Sequence, residues 1–264
     1  MADPEPDQVT ISDQKGILKD ILLINTIHSN RQTPRMEKVV IIVNAEIQAT
    51  GKASKLSPVT EKMLTALKSA IPNNHSIDVV AAAALWSKND VSKVNSSDSI
   101  YCPLTIQLPH WLDFPAKSVY QSCRDITARR LWVEQKLGYR VSVGDSWLGN
   151  LWFPVVFTPK KTLFGQVIGE GIMPNVYEQP IPLGDNARKS LQELAKQLLA
   201  SISATPSVYL LQFRILEEEI VFDRLWPFPA APALTSLTVQ QPDLYTCYWK
   251  CLTQQGISEL VVKL

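Results

Sequence analysis

Histidine is scarce in this chain: three residues in 264, at positions 28, 75 and 110. They stand far apart, and neither Cys-x-x-Cys nor His-Glu-x-x-His occurs, so the spacings that signal a zinc site are missing. Cysteine is scarce too. Four in a chain this long build no disulfide framework and need no oxidising compartment. Cys247 and Cys251, four apart beside Tyr248 and Trp249, read as small core residues. An excess of either charge is also absent, with Lys+Arg 26 against Asp+Glu 25, which removes the long-range field that draws proteins to nucleic acid or anionic lipid. The apolar runs, such as Asp78 to Trp86, fall short of the roughly 20 residues that cross a bilayer. The opening Met-Ala-Asp-Pro-Glu-Pro-Asp has neither the basic nor the apolar region of a secretory signal. A soluble, cytoplasmic protein with no membrane partner is the expectation.

What is present is enough apolar residue to bury a sizeable core, in one large domain or two small ones. The expected architecture is α/β or α+β, a mixed sheet with flanking helices in two closely packed lobes. Residues 1–12 read as a tail, 13–95 as an N-terminal lobe and 96–264 as a C-terminal lobe. An apolar stripe over Ile17 to Ile24 suits helix or strand. Val39 to Val43 is a buried strand, and Ser57 with Pro58 caps and opens a helix that Pro72 stops. Ile77 to Leu85 is expected as a second, parallel strand, although its alanines suit helix better. A polar loop over 90–98, a strand over Tyr101 to Leu108 and one long helix over 115–137 ending at Gly138 follow. Strands over Trp147 to Phe157 and Leu163 to Ile168 precede a loop over Gly169 to Gly184. Then come a helix capped by Asp185, a hairpin of Val208 to Ile215 and Ile220 to Leu225, and an aromatic helix over Pro242 to Thr253.

Gly144-Asp145-Ser146 resembles the exposed serine turn of some esterases, but Leu148 stands where the second glycine of a nucleophile elbow belongs, and the tripeptide reads better as a plain turn. Gly165, Gly169 and Gly171 with Lys160 and Lys161 suggest a phosphate cradle, without matching either Gly-rich phosphate motif. Arg124, Arg129, Arg130, Lys136 and Arg140, with Trp132 and Tyr139, are the nearest thing to an RNA-binding face, but read better as a solvated helix side. Phe222-Asp-Arg-Leu-Trp-Pro-Phe-Pro-Ala-Ala-Pro232 places Trp226 and Phe228 among prolines. Exposed, the two rings would be rigid anchors; buried, they would plug the sheet.

From Arg124 onward the order of elements resembles the scaffold of the ATP-grasp ligases: a helix, a Gly138-Tyr-Arg-Val step, the strand Phe153-Pro-Val-Val-Phe-Thr-Pro-Lys160, then a helix and two strands ending in an acidic residue and prolines. The resemblance implies a lysine on the nucleotide phosphates and a strand end that holds magnesium. Thr158 stands where the family's strand lysine belongs, and Asp223-Arg-Leu-Trp replaces its Glu-x-Asn, which implies a reduced relative without catalysis.

No complete catalytic set is visible, so the first expectation is a protein-binding assembly or regulatory factor without cofactor. It would dock another protein on Trp226, Phe228, Tyr245 and Trp249. The alternative is a nucleotide-binding, ATP-grasp-like enzyme or degenerate relative, using ATP and magnesium, with Lys160, Lys161, Gly165, Gly169 and Gly171 near phosphate and Asp223 near the metal. An RNA-binding module is the third reading. Oligomeric state cannot be read from the sequence.

Overall fold

The computed structural model describes residues 37–47, 53–86, 94, 99–145 and 148–263. The expected tail, the Ile17 to Ile24 stripe and most of the 90–98 loop lie outside them. Within them, Glu37–Leu264 clusters as one unit.

The β-branched run Val39 to Val43 lies in β1 (Lys38–Val43), at most 1% exposed, as such a run should when a pleat is covered on both faces. A short hairpin of β2 (Glu46–Ile47) and β3 (Ala53–Lys55) leads to α1 (Pro58–Ala70). Ser57 caps α1 as expected: its Oγ accepts the Thr60 N–H at 3.1 Å. β4 (Ser76–Ala81) runs parallel to β1, and the alanines after it turn into α2 (Ala82–Trp86) instead of prolonging the strand, in keeping with their helix propensity. β5 (Ser99–Pro103) joins the other side of β1, giving the order β4-β1-β5, all parallel. Because successive strands flank β1 on opposite sides, the C-terminal ends of β1 and β5 border a topological switch point, where open α/β sheets leave a crevice.

The single helix expected over 115–137 is two, α3 (Lys117–Arg124) and α4 (Ile126–Leu137). The break falls at Asp125, whose carboxylate accepts the Ala128 N–H at 3.0 Å and so starts a new helix. Gly138, at φ 71°, ends α4 in the left-handed conformation. Beyond it lie β6 (Arg140–Val141), β7 (Leu151–Phe157), β8 (Thr162–Phe164), β9 (Val167–Glu170) and β10 (Tyr177–Ile181). α5 (Asp185–Ser201), β11 (Ser207–Leu216) and β12 (Glu219–Trp226) follow. The seven strands pair in the order β10-β9-β7-β11-β12-β6, with β8 also beside β7. Only the short β6 is parallel to its neighbour, so the larger sheet is mixed. The loop expected over 169–184 is thus largely the β9–β10 hairpin; its register slips between Glu178 and Ile181, around Pro180, and such an irregularity tolerates a residue that cannot donate. Gly184, not Asp185, occupies the cap position of α5.

The chain ends in α6 (Ser236–Val239), β13 (Gln240–Gln241), α7 (Leu244–Leu252) and β14 (Val261–Val262). Asp243 caps α7, accepting the N–H groups of Tyr245 and Thr246 at 2.9 and 3.0 Å. α7 touches α1, β5, β7 and β11, which means that it sits between the two sheets. Tyr248 on α7 and Tyr120 on α3 both donate to the Pro103 carbonyl, at 3.2 and 3.0 Å, tying the end of β5 to the helices. One apolar core joins β1, β5, α1 and α7 to Trp152, Val156, Val208 and Leu210 of the larger sheet. The other lies on the opposite face, where Phe153, Tyr209, Leu211, Phe213 and Phe222 meet Leu191, Leu194 and Leu198 of α5. Among the described residues no helix is long and apolar enough to cross a membrane.

Candidate functional site

Strand register lays three side chains in a row across the middle of the larger sheet. Trp152 on β7 stands opposite Gln212 on β11, and Gln212 opposite Arg224 on β12. Neighbouring strands are about 4.8 Å apart, so the row spans roughly 10 Å. Trp226 stands beside it, donating from Nε1 to Gln212 Oε1 at 2.9 Å, while Gln212 Nε2 donates to the Gly149 carbonyl at 2.6 Å. The Arg224 guanidinium lies 6.0 Å from the centre of the Trp226 ring, and Tyr177 meets Trp152 edge-on at 5.4 Å.

This row lines a cavity of about 480 Å³, whose other side includes Asn44, Thr60 and the Leu104 to Gln107 segment. A second cavity of about 600 Å³ also touches Asn44, Thr60 and Gln107, and continues to Ser57 and Trp86. Together they form a cleft from the switch point beyond β1 and β5 to the face of the larger sheet. At their junction Thr105 Oγ1 donates to Asn44 Oδ1 at 2.8 Å, which fixes the amide and leaves its nitrogen free to donate. Ser57 already serves the first turn of α1, so that helix end has little left to offer an anion.

Beside the row, the register between β11 and β12 slips at Asp223, and bulges of this kind re-aim a side chain. Asp223 is fully buried and completely engaged. Its Oδ2 accepts the Gly149 N–H at 2.7 Å; its Oδ1 accepts Arg130 Nη2 at 2.5 Å and Arg224 Nε at 3.1 Å. Arg130 also donates to the Asp223 carbonyl at 3.0 Å and the Gly144 carbonyl at 2.8 Å. A charge out of water needs this kind of pairing. Gly149 is obligatory here, because a Cβ would lie 2.6 Å from the Phe213 carbonyl oxygen. Asp145 of the Gly144 turn accepts from Arg224 Nη2 at 3.2 Å, and Ser146 lies outside the described residues.

The sequence candidates fall into separate places. Phe228, Tyr245 and Trp249 are 2%, 0% and 2% exposed, and Trp226 is half-buried against Phe228. Lys160 and Lys161 sit on the β7–β8 turn, where Thr158 Oγ1 accepts both backbone N–H groups and Lys161 Nζ donates to the Ser258 carbonyl. A Cβ on Gly165 would stand 2.9 Å from Pro154, and one on Gly169 2.8 Å from Ile181; Gly171 packs near the Val176 carbonyl. These glycines mark close contacts between strands, and neither they nor the two lysines line the cleft. Of the arginines, Arg124 donates to the Leu108 carbonyl and Arg130 is buried on Asp223. All four cysteines are buried, which pushes Cys123 and Cys251 up to about 12 and the other two higher still, so none offers a thiolate at neutral pH. The cleft residues Asn44, Thr105, Trp152 and Gln212 went unread in the sequence. The one visible signal was a charged pair, Asp223-Arg224, inside an apolar strand.

An α/β fold of this construction, with a small parallel sheet ahead of a larger mixed sheet, is the fold of ATP-grasp-type ligases. Carboxyaminoimidazole ribonucleotide synthase from Aspergillus clavatus, in a complex with ATP, matches with a TM-score of 0.65 at 9% identity over 86% of this chain and 80% of that one. Glycinamide-RNase-transformylase T from Mycobacterium tuberculosis matches with a TM-score of 0.60 at 11% identity over 85% and 83%. N5-carboxyaminoimidazole ribonucleotide synthetase from Thermotoga maritima gives 0.59 at 10% identity over 85% and 78%. Neither a family model nor a curated protein matches the sequence. At such identities the likeness establishes the fold, and its 85–86% coverage of this chain reaches beyond the C-terminal half. It also corrects the expectation of a protein-docking factor without cofactor: the similar structures are ligases, including complexes with ATP and ADP, and three of the four rings meant for docking lie in the core, Tyr245 and Trp249 on α7 between the sheets and Phe228 stacked on Tyr120.

Magnesium, which the fold implies, does not fit the residues present. It takes oxygen ligands, commonly from carboxylates, and Asp223 has both oxygens committed to two arginines and a backbone N–H. Gln212 has its amide committed at both ends. The row carries a cation in Arg224, and its cavity has no carboxylate in its lining. No group of three or more His, Cys, Asp or Glu that could hold a metal occurs among the described residues.

Proposed function

We propose that this protein is a nucleotide-binding relative of the ATP-grasp ligases that holds its ligand in the cleft over β7, β11 and β12 and has no ligase step. The observation that carries this reading is the alignment of Trp152, Gln212 and Arg224 in one cavity beside Trp226 and Tyr177. A nucleotide offers what such a lining recognises: a flat, polar aromatic base and an anionic tail. The rings give the base an apolar surface, the Asn44 amide offers a hydrogen-bond donor, and the guanidinium pairs with phosphate oxygens, where a charge-assisted hydrogen bond contributes roughly 1.5–3 kcal/mol. A cavity of about 480 Å³ falls in the range of small-molecule sites. Further support is the fold shared with proteins solved as ATP and ADP complexes.

Thermal unfolding followed with and without ADP or ATP tests the reading. A nucleotide at 100 times its Kd stabilises the folded chain by roughly 2.7 kcal/mol and raises Tm accordingly. No displacement of Tm by any purine or pyrimidine nucleotide rules the reading out.

A further inference from the structure

We infer that the cleft takes its nucleotide as the free anion, with Arg224 in place of a divalent cation, so that magnesium weakens binding instead of enabling it. This rests on the nucleotide-binding reading above. The guanidinium is preset for the task. Its Nε is fixed on Asp223 at 3.1 Å, its plane lies over Trp226, and the side chain is 14% exposed, so little freedom is left to lose on binding. Two further groups face the ligand. Nη1 has no hydrogen-bond partner among the described residues, and Nη2 is held only by Asp145, whose side chain is 85% exposed and can swing into water. Phosphate oxygens can then accept from both nitrogens of one fork, the bidentate geometry in which arginine surpasses a point charge.

A magnesium ion bound to a nucleotide bridges the same phosphate oxygens and cancels part of their charge. In a site that held carboxylates, the ion would be shared with the protein. At the row it would meet Arg224 and a cavity lining without a carboxylate, Glu46 lying in the adjoining cavity beyond Asn44, so the chelate has repulsion where a metal site has ligands. Asp223 does not reverse this, because its charge is already spread over Arg130 and Arg224.

Titration calorimetry with ADP on the full chain, once in EDTA and once in excess magnesium, tests the inference. Binding in EDTA at a higher affinity than in magnesium is the expected result, with Arg224→Gln weakening the EDTA affinity about tenfold, the loss of about 1.4 kcal/mol. Lys160→Gln leaves it unchanged. Binding in magnesium at an affinity equal to or higher than in EDTA overturns this inference and leaves the nucleotide-binding reading standing. Binding in neither buffer overturns both. Circular dichroism on Arg224→Gln confirms the fold, and the EDTA comparison on the unaltered chain decides the matter without any variant.

Discussion

The two faces of the larger sheet are built for different ends. Under α5, Phe153, Tyr209, Leu211, Phe213 and Phe222 are fully buried in a continuous apolar cluster. On the other face, the strands that carry Val208 and Leu210 into the second core also carry Gln212, Arg224 and Trp226, with a cavity in front of them. One strand serves both. Alternation along β11 sends Tyr209, Leu211 and Phe213 one way and Leu210 and Gln212 the other. The closed face supplies rigidity, and the open face uses it to hold polar groups at fixed spacing.

Substitutions can break this contrast. Phe213→Ala, on the closed face, is expected to destabilise the fold by about 4 kcal/mol through lost burial and a cavity, read as the urea midpoint. Asp223→Asn is expected to cost about 3 kcal/mol, since Arg130 keeps its carbonyl partners and loses its carboxylate. Tyr248→Phe removes one hydrogen bond to Pro103 and is expected to cost about 1 kcal/mol in the same assay, with nucleotide affinity intact. Lys160→Ala, on an exposed turn, is expected to change stability by less than about 0.5 kcal/mol and to leave ligand-induced displacement of Tm as it was. A large effect of Lys160→Ala on binding would move the site to the β7–β8 turn and dissolve the contrast between the faces.

Local patterns in the sequence foretold much of this. The β-branched run of β1, the Ser57-Pro58 start of α1, the leucine stripe of α5 and the β11–β12 hairpin each carry their own signal. Most misreadings arose where the deciding contact, whether local or far along the chain, leaves no mark on the residue pattern. Residues 169–184 lack periodicity, yet form strands because β9 can pair with β7 and β10. Asp125 looks like any helix residue until its carboxylate turns back on Ala128. α7 carries Tyr245 and Trp249, read as docking rings, yet an apolar helix without a polar stripe is one buried on nearly all sides. The site was harder still. Trp152, Gln212 and Arg224 lie dozens of residues apart or across a hairpin, and their alignment depends on a one-residue bulge at Asp223 that no local pattern announces.

The most direct measurement is a crystal structure of the chain with ADP. The account requires phosphate oxygens within hydrogen-bond distance of Arg224 and the base among Trp152, Tyr177 and Trp226, with no metal between nucleotide and protein. Nucleotide seated on Lys160 and Lys161, or bound through a magnesium ion held by Asp223, would contradict it.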